Sequence, residues 1–155
     1  MLMFRKSIGI RHLVCGSCNG CEHEMNALTN AYYDITQEGW DLVASPRHAD
    51  LITVTGPMTE AMRAAAQETL QAVPNPRLVV AIGDCAAGDG AWCGAPFADG
   101  GAGVELGASV VVRGCPPTPA DIRAGLERAA ITLDQLTVER ATLRPSRATR
   151  TKHAR

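Results

Sequence analysis

The sequence predicts an open α/β fold, a parallel sheet with helices on both faces. Three segments carry this reading: "ADLITVTG" (49–56), "RLVVAIGDC" (77–85) and "ASVVVRGC" (108–115). Each is apolar almost throughout and rich in β-branched residues, as strands buried on both faces are. Between and after them, apolar residues recur at helical spacing. Strands that alternate with helices imply parallel pairing. In such sheets ligands gather outside the carboxyl ends of the strands.

The elements follow in chain order. "CEHEMNALTNA" (21–31) reads as a helix opened by a glycine-containing loop. "WDLVAS" (40–45) fits an edge strand. After Gly56-Pro57, the residues Met58, Met62, Ala65, Ala66, Thr69 and Val73 fall on one helical face, and the helix is expected to stop before Pro74. After the third buried strand, Thr118 suits an N-cap, Pro119 the first helical position and Asp121 the third. Ile122, Leu126, Ala129 and Leu133 form that helix's apolar face. The expected organisation is one α/β domain at 11–136, an N-terminal extension at 1–10 and a basic tail at 137–155.

Composition narrows the class. A chain of 155 residues makes one ordinary domain. Aromatics are 4%, with 15 Gly and 9 Pro, so the core is lean and suits a subunit completed by a partner. No run approaches the ~20 apolar residues of a membrane span, and "MLMFRKSIGIRH" lacks the apolar core of a secretory signal. A cytoplasmic protein is therefore expected, in which six Cys stay reduced and read as ligands or catalytic thiols before disulfides. Residues 1–139 hold 9 Lys+Arg against 16 Asp+Glu, whereas 140–155 hold 6 basic and no acidic residues. That tail is short and has no interleaved aromatics, which argues against a nucleic-acid domain.

The cysteines are the chemical signal. Two buried strands end in one each, Cys85 in "IGDC" and Cys115 in "RGC". Cys18-Asn-Gly-Cys21 adds a C-x-x-C on a loop that opens a helix. Two ligands from one loop and one from each of two strand ends make four thiolates, which suit a [4Fe–4S] cluster or a tetrahedral zinc. Gly16, Gly20, Gly83 and Gly114 would let backbone approach a bulky group. Cys15 is also in range, because "CGSCNGC" matches the opening of a ferredoxin-type run. The preferred ligands are Cys18 and Cys21, with Cys15 as a neighbouring thiol and Cys93 as an incidental loop cysteine.

"GSCNGCEHEMNAL", "ASPRHADLITVTGPMT", "VVAIGDCA" and "GCPPTPADI", in this order, resemble the small subunit of membrane-bound, energy-converting [NiFe] hydrogenases of the formate hydrogenlyase type. That family is similar to the complex I subunit carrying the last iron–sulfur cluster before quinone. The resemblance spans about residues 10–130 and implies a flavodoxin-like, doubly wound fold. It implies one [4Fe–4S] cluster on Cys18, Cys21, Cys85 and Cys115, passing electrons to a NiFe centre in a partner large subunit. Further implied partners are a ferredoxin-like iron–sulfur subunit and membrane subunits, with peripheral attachment through them. Glu24 aligns with a glutamate shared by both branches, and Arg47 and His48 are expected near the cluster. Cys18-x-x-Cys21 is the hydrogenase-like form, since complex I relatives carry two adjacent cysteines at the first position. The equivalent subunit of a complex I-like or nickel-free oxidoreductase is the alternative, and a zinc-stabilised module is the alternative of another class. Cys15, Cys93 and the Gly/Ala-rich segment 86–107 depart from the family pattern.

Overall fold

The structure, a computed structural model, describes residues 7–143. These form strands β1 (Ile8–Val14), β2 (Trp40–Leu42), β3 (Leu51–Thr55), β4 (Pro57–Thr59), β5 (Leu78–Ile82), β6 (Ala98–Gly101) and β7 (Val110–Val112). The helices are α1 (Gly20–Ala27), α2 (Glu60–Ala72), α3 (Ala102–Glu105) and α4 (Pro119–Leu143). Five strands pair in parallel in the order β2-β1-β3-β5-β7. Numbered among themselves they run 2-1-3-4-5, the flavodoxin-like doubly wound order. β4 and β6 make a separate antiparallel pair.

Alternation along β3 and β5 explains the two-sided burial. Leu51, Val80 and Ile82 point to one face, where Met25 of α1 and Ile122, Leu126 and Leu133 of α4 cover them. Ile52, Val54, Val79 and Ala81 point to the other, against Ala66 of α2 and Ala102 of α3. Each fully buried Leu or Ile contributes roughly 1.5–3 kcal/mol. α4 starts as the sequence predicts. The Thr118 N–H donates to the Asp121 carboxylate at 3.3 Å, and the Asp121 N–H donates to Thr118 Oγ1 at 3.2 Å. This reciprocal pair satisfies donors that a helix start leaves open.

Three expectations are corrected. β1 begins at Ile8, inside the segment expected to be an extension, and lies between β2 and β3. Its pattern was hidden because Arg11 and His12 interrupt the apolar run of a central strand. α4 continues to Leu143, past the expected limit at 136, and the remainder of the basic tail lies outside the described residues. Met58 belongs to β4 rather than to a helix, because Pro57–Thr59 pairs with Ala98–Gly101, a long-range contact that periodicity does not reveal. The buried face of α2 centres on Ala66, while Ala65 is exposed. No helix among the described residues is long and apolar enough to cross a membrane.

Candidate metal centre

All five main strands run the same way, so the segments after β1, β5 and β7 emerge on one edge. Cys18 and Cys21 follow β1, Cys85 follows β5, and Cys115 follows β7. Cys18, Cys115 and Cys85 all lie within electrostatic reach of Cys21. Cys21 and Cys85 are half-buried, whereas Cys18 and Cys115 are exposed at the rim. The ends of β5 and β7 are tied beyond their ladder. The Asp84 N–H donates to the Gly114 carbonyl at 2.9 Å, and the Gly114 N–H donates to Asp84 Oδ1 at 3.0 Å. This clasp holds the turns that carry Cys85 and Cys115 at a fixed separation.

Gly83 makes the approach possible. Its φ is +87°, and a Cβ there would stand 2.5 Å from Cys21 Sγ. Gly114, by contrast, is crowded by Pro117 rather than by a thiol. α1 opens between the two cysteines of C-x-x-C, with Asn19 in the left-handed conformation as its N-cap. Its amino end, with partial positive charge, therefore faces the thiol group.

Burial first, then Glu22 and the other three thiols, push the Cys21 thiol up to about 12. Burial also pushes Cys85 up, against the lowering effect of a main-chain hydrogen bond from Trp92. A cationic centre that binds thiols takes the place of their protons. The donor set thus fits a metal group with several positive charges. A single zinc needs its thiolates about 2.3 Å from one point. Among the described residues no three His, Cys, Asp or Glu side chains are grouped to hold one metal ion. A [4Fe–4S] cluster takes one thiolate on each of four irons, so its ligands stand farther apart than those of a single zinc.

The other candidates are placed differently. Cys15 is fully buried in the core on the α2 face, and burial followed by Glu105 pushes its thiol up to about 11. It packs as a small apolar residue. Cys93 lies beside Cys85, its sulfur 3.3 Å from the Cys85 carbonyl oxygen. Arg47 and His48 are exposed on the 3-10 turn Pro46–His48 that precedes β3. They sit at the amino edge of the sheet, roughly 13 Å along β3 from the cysteine edge at ~3.3 Å per residue. The structure does not bring them to the thiols.

Glu22, which the sequence pattern did not single out, is tied into this edge. It accepts a hydrogen bond from Ser17 Oγ at 2.5 Å and another from Thr55 Oγ1 at the end of β3. Burial alone would raise its pKa, but the Ser17 and Thr55 hydrogen bonds outweigh that and hold the carboxyl below its usual range. Beside it, His12 bonds Thr53 at 2.9 Å, and burial lowers its pKa from the usual value. Glu24 lies two residues on, about 200° around the helix from Glu22, and is half-buried. The signal for Glu22 was Ser17 ahead of an acidic first helical turn, but Thr55 is supplied by the tertiary structure.

The family model for the NADH ubiquinone oxidoreductase 20 Kd subunit matches residues 18–129, most of the chain and all four thiols of the edge. The chain belongs to that family. It is an oxidoreductase subunit. A probable membrane-bound hydrogenase subunit of Pyrococcus furiosus is 37% identical over 121 residues, 78% of this chain and 72% of that protein. Formate hydrogenlyase subunit 7 of Escherichia coli is 35% identical over 131 residues, which span 84% of this chain and only 51% of that protein. An NADH-quinone oxidoreductase subunit of Clostridium beijerinckii is 38% identical over 112 residues, 68% of this chain and 63% of that protein. Among solved structures, a chain of an archaeal membrane-bound sulfane sulfur reductase superposes with a TM-score of 0.70 at 28% identity, covering 84% of this chain and 72% of that one. An NAD+-reducing [NiFe]-hydrogenase chain superposes at 0.63 with 16% identity, covering 81% and 92%, and shows the shared fold.

Proposed function

We propose that this member of the 20 Kd subunit family is an electron-transfer subunit that holds one [4Fe–4S] cluster on Cys18, Cys21, Cys85 and Cys115. The observation that carries the reading is the convergence of these thiols on the carboxyl edge of the sheet, with Gly83 leaving room against Cys21. Such a group supplies one-electron acceptance and release. The chain's residues do the holding. The Asp84–Gly114 clasp fixes two ligand turns, and the amino end of α1 faces the group's negative charge. Glu22 pins the C-x-x-C loop to the end of β3. Exposed Cys18 and Cys115 put the group at the surface, where a partner's redox centre can come close.

The partner we infer is the large subunit of a [NiFe] hydrogenase. A ferredoxin-like iron–sulfur subunit would stand on the other side, and membrane subunits would hold the complex peripherally on the cytoplasmic face. The Pyrococcus hydrogenase and formate hydrogenlyase relatives support this. The equivalent subunit of a complex I-like or nickel-free oxidoreductase is the second reading, favoured by the 38% identity to the NADH-quinone oxidoreductase subunit. Two C-x-x-C pairs in the partner large subunit select the first reading, and their loss selects the second. The test of the cluster itself is anaerobic reconstitution, with iron and sulfide counted and the reduced sample examined by EPR. About four irons per chain are expected. A folded chain that takes up zinc and no iron would overturn the proposal.

A further inference from the structure

The loop after Cys85 folds back onto it. The Asp89 N–H donates to the Asp84 carbonyl at 3.0 Å, and the Gly88 N–H donates to the Cys85 carbonyl at 3.2 Å. The Cys93 thiol donates to that same carbonyl across 3.3 Å, so its sulfur rests on the main chain of Cys85. The Cys93 N–H closes a turn on the Gly90 carbonyl at 3.0 Å. That turn is pressed against the cysteine: a Cβ at Gly90 would lie 2.2 Å from Cys85 Sγ and 2.5 Å from Cys85 Cα. Both thiols are half-buried, so a small reagent reaches them. Cys15, by contrast, is buried in the core on the α2 face, and the Cys21 sulfur packs on Gly83.

We propose that Cys85 and Cys93 form a reversible disulfide when the metal site is empty, with a small-molecule disulfide as the oxidant. Its consequence for metal binding rests on the reading of Cys85 as a cluster ligand. One of the two protein thiolates attacks the small disulfide, forms a mixed disulfide and releases one small thiolate. The other protein thiolate then displaces the second small thiolate. One protein S–S bond forms and the S–S bond of the oxidant breaks. The two protein thiols lose two electrons, the oxidant gains them, and the two thiol protons leave on the two released small thiols. The loop has already closed the eight-residue span between the cysteines, so the closure entropy is lost before the bond forms. The sulfurs then meet by rotation about the two χ1 angles. Metal ligation needs a thiolate, so the disulfide and the iron exclude each other at Cys85. In a reducing compartment such a bond is transient and responds to redox conditions.

The test treats the folded, metal-free full chain with oxidised glutathione, blocks the remaining thiols with iodoacetamide and maps the tryptic peptides. Cys85 and Cys93 share the peptide 78–113, which holds no other cysteine. That peptide is expected unlabelled and lighter by two hydrogens. The treated chain should take up no iron until dithiothreitol reverses the bond. Cys93→Ser should carry glutathione on Cys85 instead, the trapped intermediate. Gly90→Ala pushes the turn off Cys85 and should lower the yield of the link. In the iron-loaded chain the link should not form. The proposal is overturned if peptide 78–113 is found joined to another cysteine peptide, or if Cys18–Cys21 is the main product. A link that forms as readily in urea, or in Gly90→Ala, also overturns it, because the fold then does not direct the reaction. Where a variant fails to fold, the wild-type peptide map decides. A reduced wild-type chain that takes up no iron overturns the cluster reading instead, and the disulfide is still read by mass.

Discussion

Gly83→Ala tests the cradle most directly. The alanine would be held at φ +87°, where an L side chain costs about 1–2 kcal/mol. Its Cβ would lie 2.5 Å from Cys21 Sγ, whereas non-bonded contacts settle near 3.5–4.0 Å. Roughly 1 Å of overlap must then be relieved by moving Cys21 or the β5 turn, and overpacking of this kind costs about 1–3 kcal/mol. The lower entropy of the unfolded alanine chain returns about 0.4–1 kcal/mol. The net expectation is a loss of about 2–4 kcal/mol, or about 10 °C in Tm for a chain of this length. Gly94→Ala is the matched control. Gly94 has φ +83°, and a Cβ there meets nothing within 4 Å. It should lose only the backbone part, about 1 kcal/mol. Urea unfolding of the metal-free proteins reads both, and iron counting after reconstitution reads the site. Gly83→Ala should also load less iron, because the Cys21 sulfur is displaced. If Gly83→Ala costs no more than Gly94→Ala and loads iron normally, the sulfur does not pack on Gly83 and the argument fails.

The remaining predictions divide site from scaffold. Cys85→Ser and Cys115→Ser should abolish iron uptake. Cys15→Ser should keep it while losing about 1–3 kcal/mol in urea unfolding, since it puts a hydroxyl into an apolar core. Normal iron in Cys85→Ser, or lost iron in Cys15→Ser, would redraw the ligand set. Thr118→Ala removes the α4 cap and should lower stability by about 1 kcal/mol at unchanged m-value; an unshifted urea midpoint would mean the cap contributes nothing. His12, whose burial lowers its pKa, gives the pH dependence. Below about pH 6.5 the unfolded chain binds a proton that the folded chain refuses, so stability falls as pH drops. The window for Glu22 lies lower, because its carboxyl is held below 4.5 and its contribution is lost only on further acidification. Urea midpoints at pH 7 and 5.5 should therefore converge in His12→Gln, and an undiminished difference would assign the effect elsewhere.

How much of the protein was legible depended on the range of the interaction. β3 and β5 were plain because every residue in them is apolar or β-branched, a pattern local to five positions. α4 was plain for the same reason, through its cap and its buried Ile122, Leu126 and Leu133. The placement of Arg47 and His48 was legible too, and the family resemblance pointed away from it. They precede a strand of a parallel sheet, so they stand at its amino edge, opposite the cysteines. β1 was obscured because its polar residues find partners across the sheet, as His12 does in Thr53.

By itself the sequence determined an α/β class with a parallel sheet covered on both faces, and it placed Cys85 and Cys115 at strand ends. Residue type and spacing suffice for that, because strand direction and helix periodicity are local properties of the backbone. Only the tertiary structure decided which neighbouring groups serve the cysteine edge. Cys15 turned into the opposite core because the residue after β1 alternates away from the thiols. Glu22 rather than Glu24 became the anchored carboxylate because Thr55 arrives from a strand 33 residues away. Cys93 came to rest on Cys85 because loop 86–93 folds back over a glycine that leaves no space for a side chain. Each of these depends on contacts between segments distant in sequence or on loop closure, which no local pattern encodes.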